Sequence, residues 1–320
     1  MSNPADTTRN ADAPGDGSPP PAGLVPPVTL RTLRRMAERD EPFACLTCYD
    51  ATTARLLERA GVHVLLVGDT AAEVILGFAR TIDMPLEVLI ALTAGVKRGA
   101  PGTVVMADMP FMSYQADEAE GIRNAARFIT EGLADVVKIE ADHTHAPMIE
   151  RMTRAGIPVC GHVGSRPQRS AMTGGYTAAG RTREDADAII RDAVALEKAG
   201  CVLLLVEAVP REVARRLLDA VGLPVIGIGA GPECHGQVLV LQDAFGMTDR
   251  PPPFAVPVAN LAEVMVAAGR EWVRRVTARE SGERPHAMKS DGGEPFARHE
   301  RRSAPEIRVA HGRGAAGPAA

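Results

Sequence analysis

Acidic residues follow several short apolar runs of the sequence, each at the point where the run ends. Asp69 closes VHVLLVGD, Asp108 closes TVVMAD, and Glu140 closes DVVKIE. A further apolar run, CVLLLVE, ends at Glu207. Carboxylates gathered at one place repel each other and are costly to bury without a cation. A hard divalent ion such as Mg²⁺, which takes oxygen ligands and keeps positions open for water or substrate, is the natural partner of such a cluster.

Two basic side chains belong to the same pattern. Lys138 lies two residues before Glu140, and His162 ends the apolar run IPVCGH. The spacing alone leaves open whether Lys138 neutralises a substrate carboxylate or pairs with a neighbouring acid. A metal ion that chelates the keto and carboxylate oxygens of a 2-oxo acid would stabilise the adjacent enolate. Glu207, which lies away in sequence from the other acids, is then our candidate for the general base that removes the neighbouring C–H proton.

Each of these residues also has an ordinary structural role open to it. An Asp after a strand often caps the next helix, as Asp69 or Asp108 could do. A lone His after a strand is more often a structural residue than a ligand, whereas Glu140 and Glu207 would make poor caps. The functional interpretation therefore depends on five successive strand ends that all carry ionisable groups.

The elements that must position these groups alternate between short apolar runs and stretches with helical spacing. The runs are rich in Val, Ile and Leu and apolar throughout, which is typical of parallel strands buried on both faces. Such alternation predicts a (β/α)₈ TIM barrel, in which the carboxyl ends of all strands meet at one face. We predict seven strands at residues 43–49, 62–68, 103–107, 135–139, 157–161, 201–206 and 223–229, and an eighth near Asp243–Met247. We predict helices at residues 51–60, 86–98, 117–131, 147–155, 183–199, 211–221 and 259–279.

An open, doubly wound sheet is the alternative to a closed barrel. The first strand-to-helix turn reads YDATTA and lacks the Gly-rich phosphate loop of that fold, which favours the barrel. Residues 1–27 and 281–320 are rich in Pro, Gly and polar side chains without an apolar period, so we predict two disordered tails. Residues 28–280 remain as a single barrel domain that carries the chemistry.

Composition and charge narrow the function classes. The net charge of −4 over 320 residues argues against nucleic acid as a partner, because duplex binding depends on a basic surface. No apolar run reaches the roughly 20 residues that span a bilayer, so we expect no membrane partner. The N-terminus lacks the basic patch and apolar stretch of a signal peptide. These features predict a cytoplasmic protein that acts on small molecules.

The five cysteines form an odd, scattered set, which is typical of reduced thiols in a cytosol. Cys45 and Cys48 form a C-x-x-C sequence inside the apolar stretch FACLTCY, and no second pair exists for a zinc site. We interpret them as strand thiols.

At these residues the chain resembles the 3-methyl-2-oxobutanoate hydroxymethyltransferase (ketopantoate hydroxymethyltransferase) family, over about residues 28–279. No single matching segment is specific, but their order and spacing together are. They are TCYDATTA, VLLVGD, KRGAP, ADMPFMSY, VKIE, PVCGHVG, GGY, LLLVEAVP, PVIGIGAG and GQVLVLQDAFG.

The resemblance implies roles for the strand-end residues. It implies that Asp69 and Asp108 bind Mg²⁺, that Glu140 completes the metal's shell, and that Glu207 accepts the proton. It further implies transfer of a hydroxymethyl group from 5,10-methylenetetrahydrofolate to 3-methyl-2-oxobutanoate, giving 2-dehydropantoate for pantothenate biosynthesis, in a cytoplasmic homo-oligomer that is often a decamer. The residues implied to contact the 2-oxo acid or line its pocket are Asp69, Thr70, Asp108, Lys138 and His162.

The departures from the family pattern define a divergent member. Thr70 replaces a Ser, which keeps the hydroxyl and adds a methyl group. Changes at Ala71, Asp83 and Leu92 favour a second hypothesis, a Mg²⁺-dependent lyase or aldolase of the phosphoenolpyruvate-type barrels that acts on another 2-oxo acid. A third hypothesis is a non-catalytic paralogue that binds a ligand, although four retained carboxylates speak against it. The exact 2-oxo acid, the folate donor, the oligomer number and the role of the tails stay open at this level.

Overall fold

The computed structural model describes residues 27–280 of the chain. The predicted disordered tails, residues 1–27 and 281–320, lie outside the described residues except for Pro27. The chain divides into two compact units, Met1–Met265 and Val266–Ala320, and the barrel lies within the first. The assignment of residues 28–280 to one domain stays a prediction.

Eight parallel strands form a closed barrel in chain order. Each strand pairs with the next, and the eighth pairs with the first. The predicted TIM barrel is therefore confirmed, as are the seven predicted strands, although the bounds of each differ by up to three residues at either end. The strands are β1 Phe43–Thr47, β2 Val64–Val67, β3 Val104–Asp108, β4 Val136–Glu140, β5 Val159–Gly164, β6 Leu203–Glu207, β7 Val225–Ile228 and β8 Gly236–Leu239.

All seven predicted helices are present within one or two residues of their expected bounds, and four further helices accompany them. The helices are α1 Leu30–Glu38, α2 Ala51–Arg59, α3 Ala71–Val74, α4 Leu86–Gly99, α5 Glu118–Thr130, α6 Ala146–Arg154, α7 Ser170–Thr173, α8 Arg183–Lys198, α9 Arg211–Ala220, α10 Leu241–Ala244 and α11 Leu261–Thr277. Short 3₁₀ turns lie at Thr81–Asp83, His143–His145 and Pro167–Arg169. No helix of the described chain is both long and apolar enough to cross a membrane.

The prediction of an eighth strand near Asp243–Met247 is wrong. The strand lies upstream, at Gly236–Leu239, and Asp243 belongs to helix α10. A contact with a neighbouring strand accompanies the end of β8 and the start of α10. The backbone N–H of Leu241 donates to Oγ1 of Thr47 at the end of β1 (2.9 Å). That hydrogen bond takes Leu241 out of the strand ladder and begins the helix.

Polar side chains cap the first turn of several helices. Asp50 accepts hydrogen bonds from the backbone N–H groups of Thr52 and Thr53 (both 2.9 Å) and so caps α2. Thr182 caps α8 by accepting from the N–H of Asp185. Such caps satisfy N–H groups that have no partner inside the helix.

Two hydrophobic clusters separate the inside of the barrel from the layer beneath the outer helices. Leu203 and Leu205 of β6 belong to the inner cluster. The alternate residues, Leu204 and Val206, belong to the outer cluster, as the two-residue period of a strand requires. Leu33 of α1 is fully buried in the inner cluster, so α1 contributes to the barrel interior.

The two thiols of the C-x-x-C sequence lie in different clusters. Cys45 belongs to the inner cluster and Cys48 to the outer one, and both are free and buried. Burial raises the pKa of both thiols, that of Cys48 to about 11. The interpretation as a strand thiol is confirmed for Cys45, whereas Cys48 lies one residue beyond the end of β1.

Candidate active site

The carboxyl ends of β2 to β6 bring the predicted residues to one cavity of about 1250 Å³. The strand register places neighbours side by side, with Asp108 opposite Lys138, and Glu140 opposite His162. Glu207 ends β6 opposite Gly164. The residues that line the cavity include Asp69, Thr70, Asp108, Lys138, Glu140, His162 and Glu207.

Asp69, Asp108 and Lys138 form a buried, charged core of the site. The backbone N–H of Asp69 donates to Oδ2 of Asp108 (3.0 Å), and Nζ of Lys138 lies 3.0 Å from Oδ1 of the same carboxylate. Burial, followed by the charge of Asp108, raises the pKa of Asp69 to about 7. Burial alone would lower the pKa of Lys138, but the surrounding acids outweigh it and raise that pKa. Lys138 therefore does pair with a neighbouring acid, one of the two roles that the spacing leaves open.

Glu140 is buried beside this core. Burial and the charge of Asp69 raise its pKa well above the usual range. Its carboxylate accepts the backbone N–H of Gln168 (3.1 Å to Oε2). The side-chain amide of Gln168 donates to Oδ2 of Asp69 (3.0 Å), so this residue contacts two of the predicted metal ligands. Gln168 is absent from the residues predicted from the sequence.

His162 lies between Lys138 and Glu207. Its Nδ1 is 3.2 Å from Nζ of Lys138, and its Nε2 is 3.4 Å from Oε2 of Glu207 without hydrogen-bond geometry. Burial and the charge of Lys138 lower the pKa of His162. A charged Lys138 can only donate, so Nδ1 must accept and the proton of the neutral ring lies on Nε2, facing Glu207.

A tyrosine that sequence reasoning missed supports Thr70. The hydroxyl of Tyr49 lies 2.7 Å from Oγ1 of Thr70, and Tyr49 is buried. Tyr49 belongs to the TCYDATTA segment, but the pattern of apolar and polar residues in that segment does not indicate that the ring faces Thr70. Gly68 lies so close that a Cβ there would approach Oγ1 of Thr70 to 2.8 Å.

The departures from the family pattern divide into two groups. Thr70 lines the cavity. Asp83 instead pairs with Arg80 through two hydrogen bonds on the surface, and Leu92 packs against the outer hydrophobic cluster. Asp83 and Leu92, unlike Thr70, are therefore not among the residues that line the cavity.

The acids suit a metal ion that keeps water and substrate as ligands. Among residues 27–280, no three His, Cys, Asp or Glu side chains are gathered as a ready-made metal-binding group. Oδ1 of Asp108 is buried and pairs with Nζ of Lys138 at 3.0 Å. Mg²⁺ is typically held by one or two protein carboxylates, with water and substrate oxygens completing its shell. The donor set fits such an ion and does not fit a closed structural site.

Comparison with known proteins adds independent information. The family model described as ketopantoate hydroxymethyltransferase matches residues 27–283. A 3-methyl-2-oxobutanoate hydroxymethyltransferase of Alkalilimnicola ehrlichii is 45% identical over 269 residues, which cover 84% of this chain and 96% of that protein. A protein of the same name from Pyrobaculum aerophilum is 44% identical over 235 residues, which cover 73% of this chain and 89% of that protein.

Solved structures show the same fold at lower identity. A phosphoenolpyruvate phosphomutase from Streptomyces platensis subsp. rosaceus superposes with a TM-score of 0.55 at 15% identity, covering 80% of this chain and 92% of that chain. Identity this low is evidence for the barrel architecture alone. With the sequence matches, the conclusion is firm: this chain is an enzyme that belongs to the ketopantoate hydroxymethyltransferase family.

Proposed function

We propose that this enzyme transfers a hydroxymethyl group from 5,10-methylenetetrahydrofolate to 3-methyl-2-oxobutanoate, giving 2-dehydropantoate for pantothenate biosynthesis, and that the reaction depends on Mg²⁺. The observation that carries the proposal is the buried group of carboxylates at the strand ends, with Glu207 at the edge of the same cavity. The family membership supplies the reaction class.

The proposal assigns Asp69, Asp108 and Glu140 to the metal. A bound Mg²⁺ would supply Lewis acidity to the keto and carboxylate oxygens of the 2-oxo acid, which makes the neighbouring C–H group more acidic. Thr70 and Lys138 would hold the acid in place, since a hydroxyl and an ammonium group are suited to its oxygens. Lys138 lines the cavity and lies 3.0 Å from Asp108. Its positive charge would stabilise the negative charge of a substrate bound beside Asp108.

The proposal assigns proton transfer to Glu207. Its side chain is 22% exposed, whereas those of Asp108 and Glu140 are 5% and 4% exposed, so Glu207 can pass a proton to water. The Nε2–H of His162 faces Oε2 of Glu207 and would help to hold the carboxylate in one orientation. Glu207 would then remove the proton from the carbon that becomes bonded to the one-carbon unit.

The size of the cavity supports two substrates. Ligand pockets commonly enclose about 300–1,000 Å³. The cavity here holds about 1250 Å³, far more than a five-carbon acid needs. A cavity of this size has room for a large second substrate such as a reduced folate beside the 2-oxo acid.

Neither alternative function is favoured by a specific feature of the site. Ala71, Asp83 and Leu92 motivated a different 2-oxo acid. Asp83 pairs with Arg80, and Ala71 and Leu92 pack in the outer hydrophobic cluster. The non-catalytic hypothesis has no explanation for the buried acids, which are costly unless a cation or substrate uses them. A cytoplasmic location and a homo-oligomer, both implied by the family, stay part of the proposal.

The test is a reconstituted reaction. Purified enzyme with Mg²⁺, 5,10-methylenetetrahydrofolate and 3-methyl-2-oxobutanoate should form 2-dehydropantoate, detected by mass spectrometry, and chelation of the metal should abolish the product. In D₂O without the folate, 3-methyl-2-oxobutanoate should exchange its C3 proton in a Mg²⁺-dependent manner. A correctly folded enzyme that exchanges another 2-oxo acid faster and makes no 2-dehydropantoate would overturn the proposal.

A further inference from the structure

Gln168 is a buried, neutral residue that donates hydrogen bonds to two of the acids in the cavity. It lies in the 3₁₀ turn that follows β5 and is 6% exposed. Its side-chain NH₂ group donates to Oδ2 of Asp69 (3.0 Å) and to the carbonyl oxygen of Met109 (2.9 Å). Its Oε1 atom accepts from the hydroxyl of Tyr114 (3.0 Å) and from Nε2 of Gln115 (2.9 Å). A side-chain amide has two N–H donors and two acceptor sites, so its capacity is filled.

The partners of Gln168 fix the direction in which its amide points. Asp69 presents a carboxylate oxygen and Met109 a carbonyl oxygen, and because both can only accept, they require the NH₂ group. A reversed amide would set its oxygen against these two acceptors, so one orientation is selected. In that orientation Oε1 accepts from Nε2 of Gln115 and from the hydroxyl of Tyr114, which hold it in place.

Gln168 also contacts a second acid through its backbone. Its N–H donates to the carboxylate of Glu140, at 3.1 Å from Oε2 and 3.3 Å from Oε1. The hydroxyl of Tyr114 lies 3.0 Å from the carbonyl oxygen of Glu140 as well. Acids from two different strands are thus tied to one loop residue, and Oδ1 of Asp69 accepts no hydrogen bond from residues 27–280.

We propose that Gln168 is a positioning residue that orients Asp69 and Glu140 for the metal, and that Tyr114 positions Gln168 in turn. The inference rests on the proposed metal-dependent function and adds residues that this function does not need by itself. Groups that hydrogen-bond to metal ligands orient those ligands, and their loss typically weakens metal binding about 10–100-fold. Gln168 meets this description at two ligands at once.

The experiment measures Mn²⁺ binding without turnover, by electron paramagnetic resonance of the free ion and by titration calorimetry, in the full chain. Gln168→Met keeps the length of the side chain and the backbone N–H but removes all four side-chain hydrogen bonds, and should weaken Mn²⁺ binding about 10-fold. Tyr114→Phe removes only the hydroxyl and should weaken it less, because Gln115 still holds Oε1. Gln237→Met is the matched control, since Gln237 is exposed on β8 and its side chain donates a hydrogen bond to the carbonyl of Gly231, away from the acids of the site.

Each outcome decides the inference. Weaker Mn²⁺ binding in both site variants, with unchanged binding in Gln237→Met, supports it, as does recovery of activity in Gln168→Met at raised metal concentration. If Gln168→Met fails to fold, Tyr114→Phe alone provides the answer. Wild-type affinity in the site variants would overturn the inference while the proposed function stands. If the wild-type enzyme binds no Mn²⁺ and Asp69→Asn leaves its activity unchanged, both the inference and the proposed metal-dependent function are overturned.

Discussion

At the scale of the residue, the site is organised around the cost of burying like charges. Asp69, Asp108 and Glu140 are all less than a tenth exposed, and Lys138 is the one ammonium among them within the described chain. Burial raises the pKa values of Asp69 and Glu140. Repulsion between the acids raises them further, because one cation cannot neutralise three carboxylates. A divalent ion would balance the remaining charge.

Glu207→Gln separates the proton transfer from metal binding. The amide keeps the shape of the side chain but cannot accept the substrate proton, so kcat should fall about 10²–10⁴-fold, the range of a positioned general base. Mn²⁺ affinity should stay at the wild-type value. Proton exchange of 3-methyl-2-oxobutanoate in D₂O, followed by NMR, is the measurement, and exchange at the wild-type rate would exclude Glu207 as the base.

Thr70 variants test the contact with Tyr49. Thr70→Val has nearly the same shape but leaves the buried hydroxyl of Tyr49 without this partner, so the free energy of unfolding should fall by about 1–3 kcal/mol and KM for the 2-oxo acid should rise. Thr70→Ser keeps the hydroxyl and should change both quantities little. Urea denaturation and steady-state kinetics measure the two effects. Equal behaviour of the Val and Ser variants would contradict the role assigned to the hydroxyl.

The sequence predicts the strand-end acids of this site but not the residues that hold them. An acid directly after a buried parallel strand must lie at the carboxyl face of the barrel, so Asp69 and Glu207 follow from position alone. Gln168 lies 99 residues from Asp69 along the chain, on a loop whose path depends on contacts with Tyr114 and Gln115. Local patterns carry no information about such a contact.

At the scale of the element, strands were easier to predict than the short helices. The strands of the barrel are buried on both faces and therefore apolar throughout, as VLLV and LLLV show. Helix α1 does carry an apolar face, because Leu30, Leu33 and Met36 recur three residues apart and pack in the inner cluster, yet it is absent from the predicted helices. Helix α3 has four residues, too few to show a helical period. The predicted position of the eighth strand is wrong because the end of β8 depends on the hydrogen bond from Leu241 to Thr47. These two residues are 194 positions apart in sequence.

The cap of α2 gives a pH-dependent prediction. Burial alone would raise the pKa of Asp50, but hydrogen bonds from Thr53 and Thr52 outweigh it and lower that pKa. The ionised cap therefore stabilises the fold fully above the ordinary Asp pKa of about 4, and this contribution is lost as the pH falls through the lowered value. Asp50→Ala should cost about 1 kcal/mol at neutral pH and less in acid.

The control is Thr182→Ala at the cap of α8. Its hydroxyl does not titrate in this range, so the cost of losing it should be the same in neutral and acid solution. Chemical denaturation of both variants at about pH 7 and pH 3, which bracket the carboxyl pKa, makes the comparison. A cost at Asp50 that does not change with pH would show that its charge contributes nothing.

At the scale of the whole molecule, the barrel closes where β8 meets β1. Phe43 pairs with Gly236 in that ladder, and a Cβ on Gly236 would lie 2.3 Å from the ring of Phe43. Because Phe43 is 3% exposed, its ring has little room to move. Gly236→Ala should therefore lower the free energy of unfolding by about 1–3 kcal/mol through overpacking.

Gly95 supplies the opposite case. It lies inside α4, and nothing is within 4 Å of a Cβ built there. Gly95→Ala should raise stability by about 0.5–1 kcal/mol, because Gly costs conformational entropy in a helix. Thermal unfolding of both variants tests the pair, and Phe43→Leu should recover part of the loss at Gly236. Equal shifts of both variants would show that closure is not limited by this contact.

The burial of Leu33 has a consequence for the order in which the protein is made. Helix α1 is synthesised before every strand, yet its leucine belongs to a cluster that includes residues from β1 through to Val238 of β8. The cluster around Leu33 is therefore complete only after more than 200 further residues have been made, as the interval from Leu33 to Val238 shows. Contacts this distant in sequence form slowly, and apolar surface left open in the meantime favours association with other chains. We expect the unfinished chain to be most prone to association before β8 has been made.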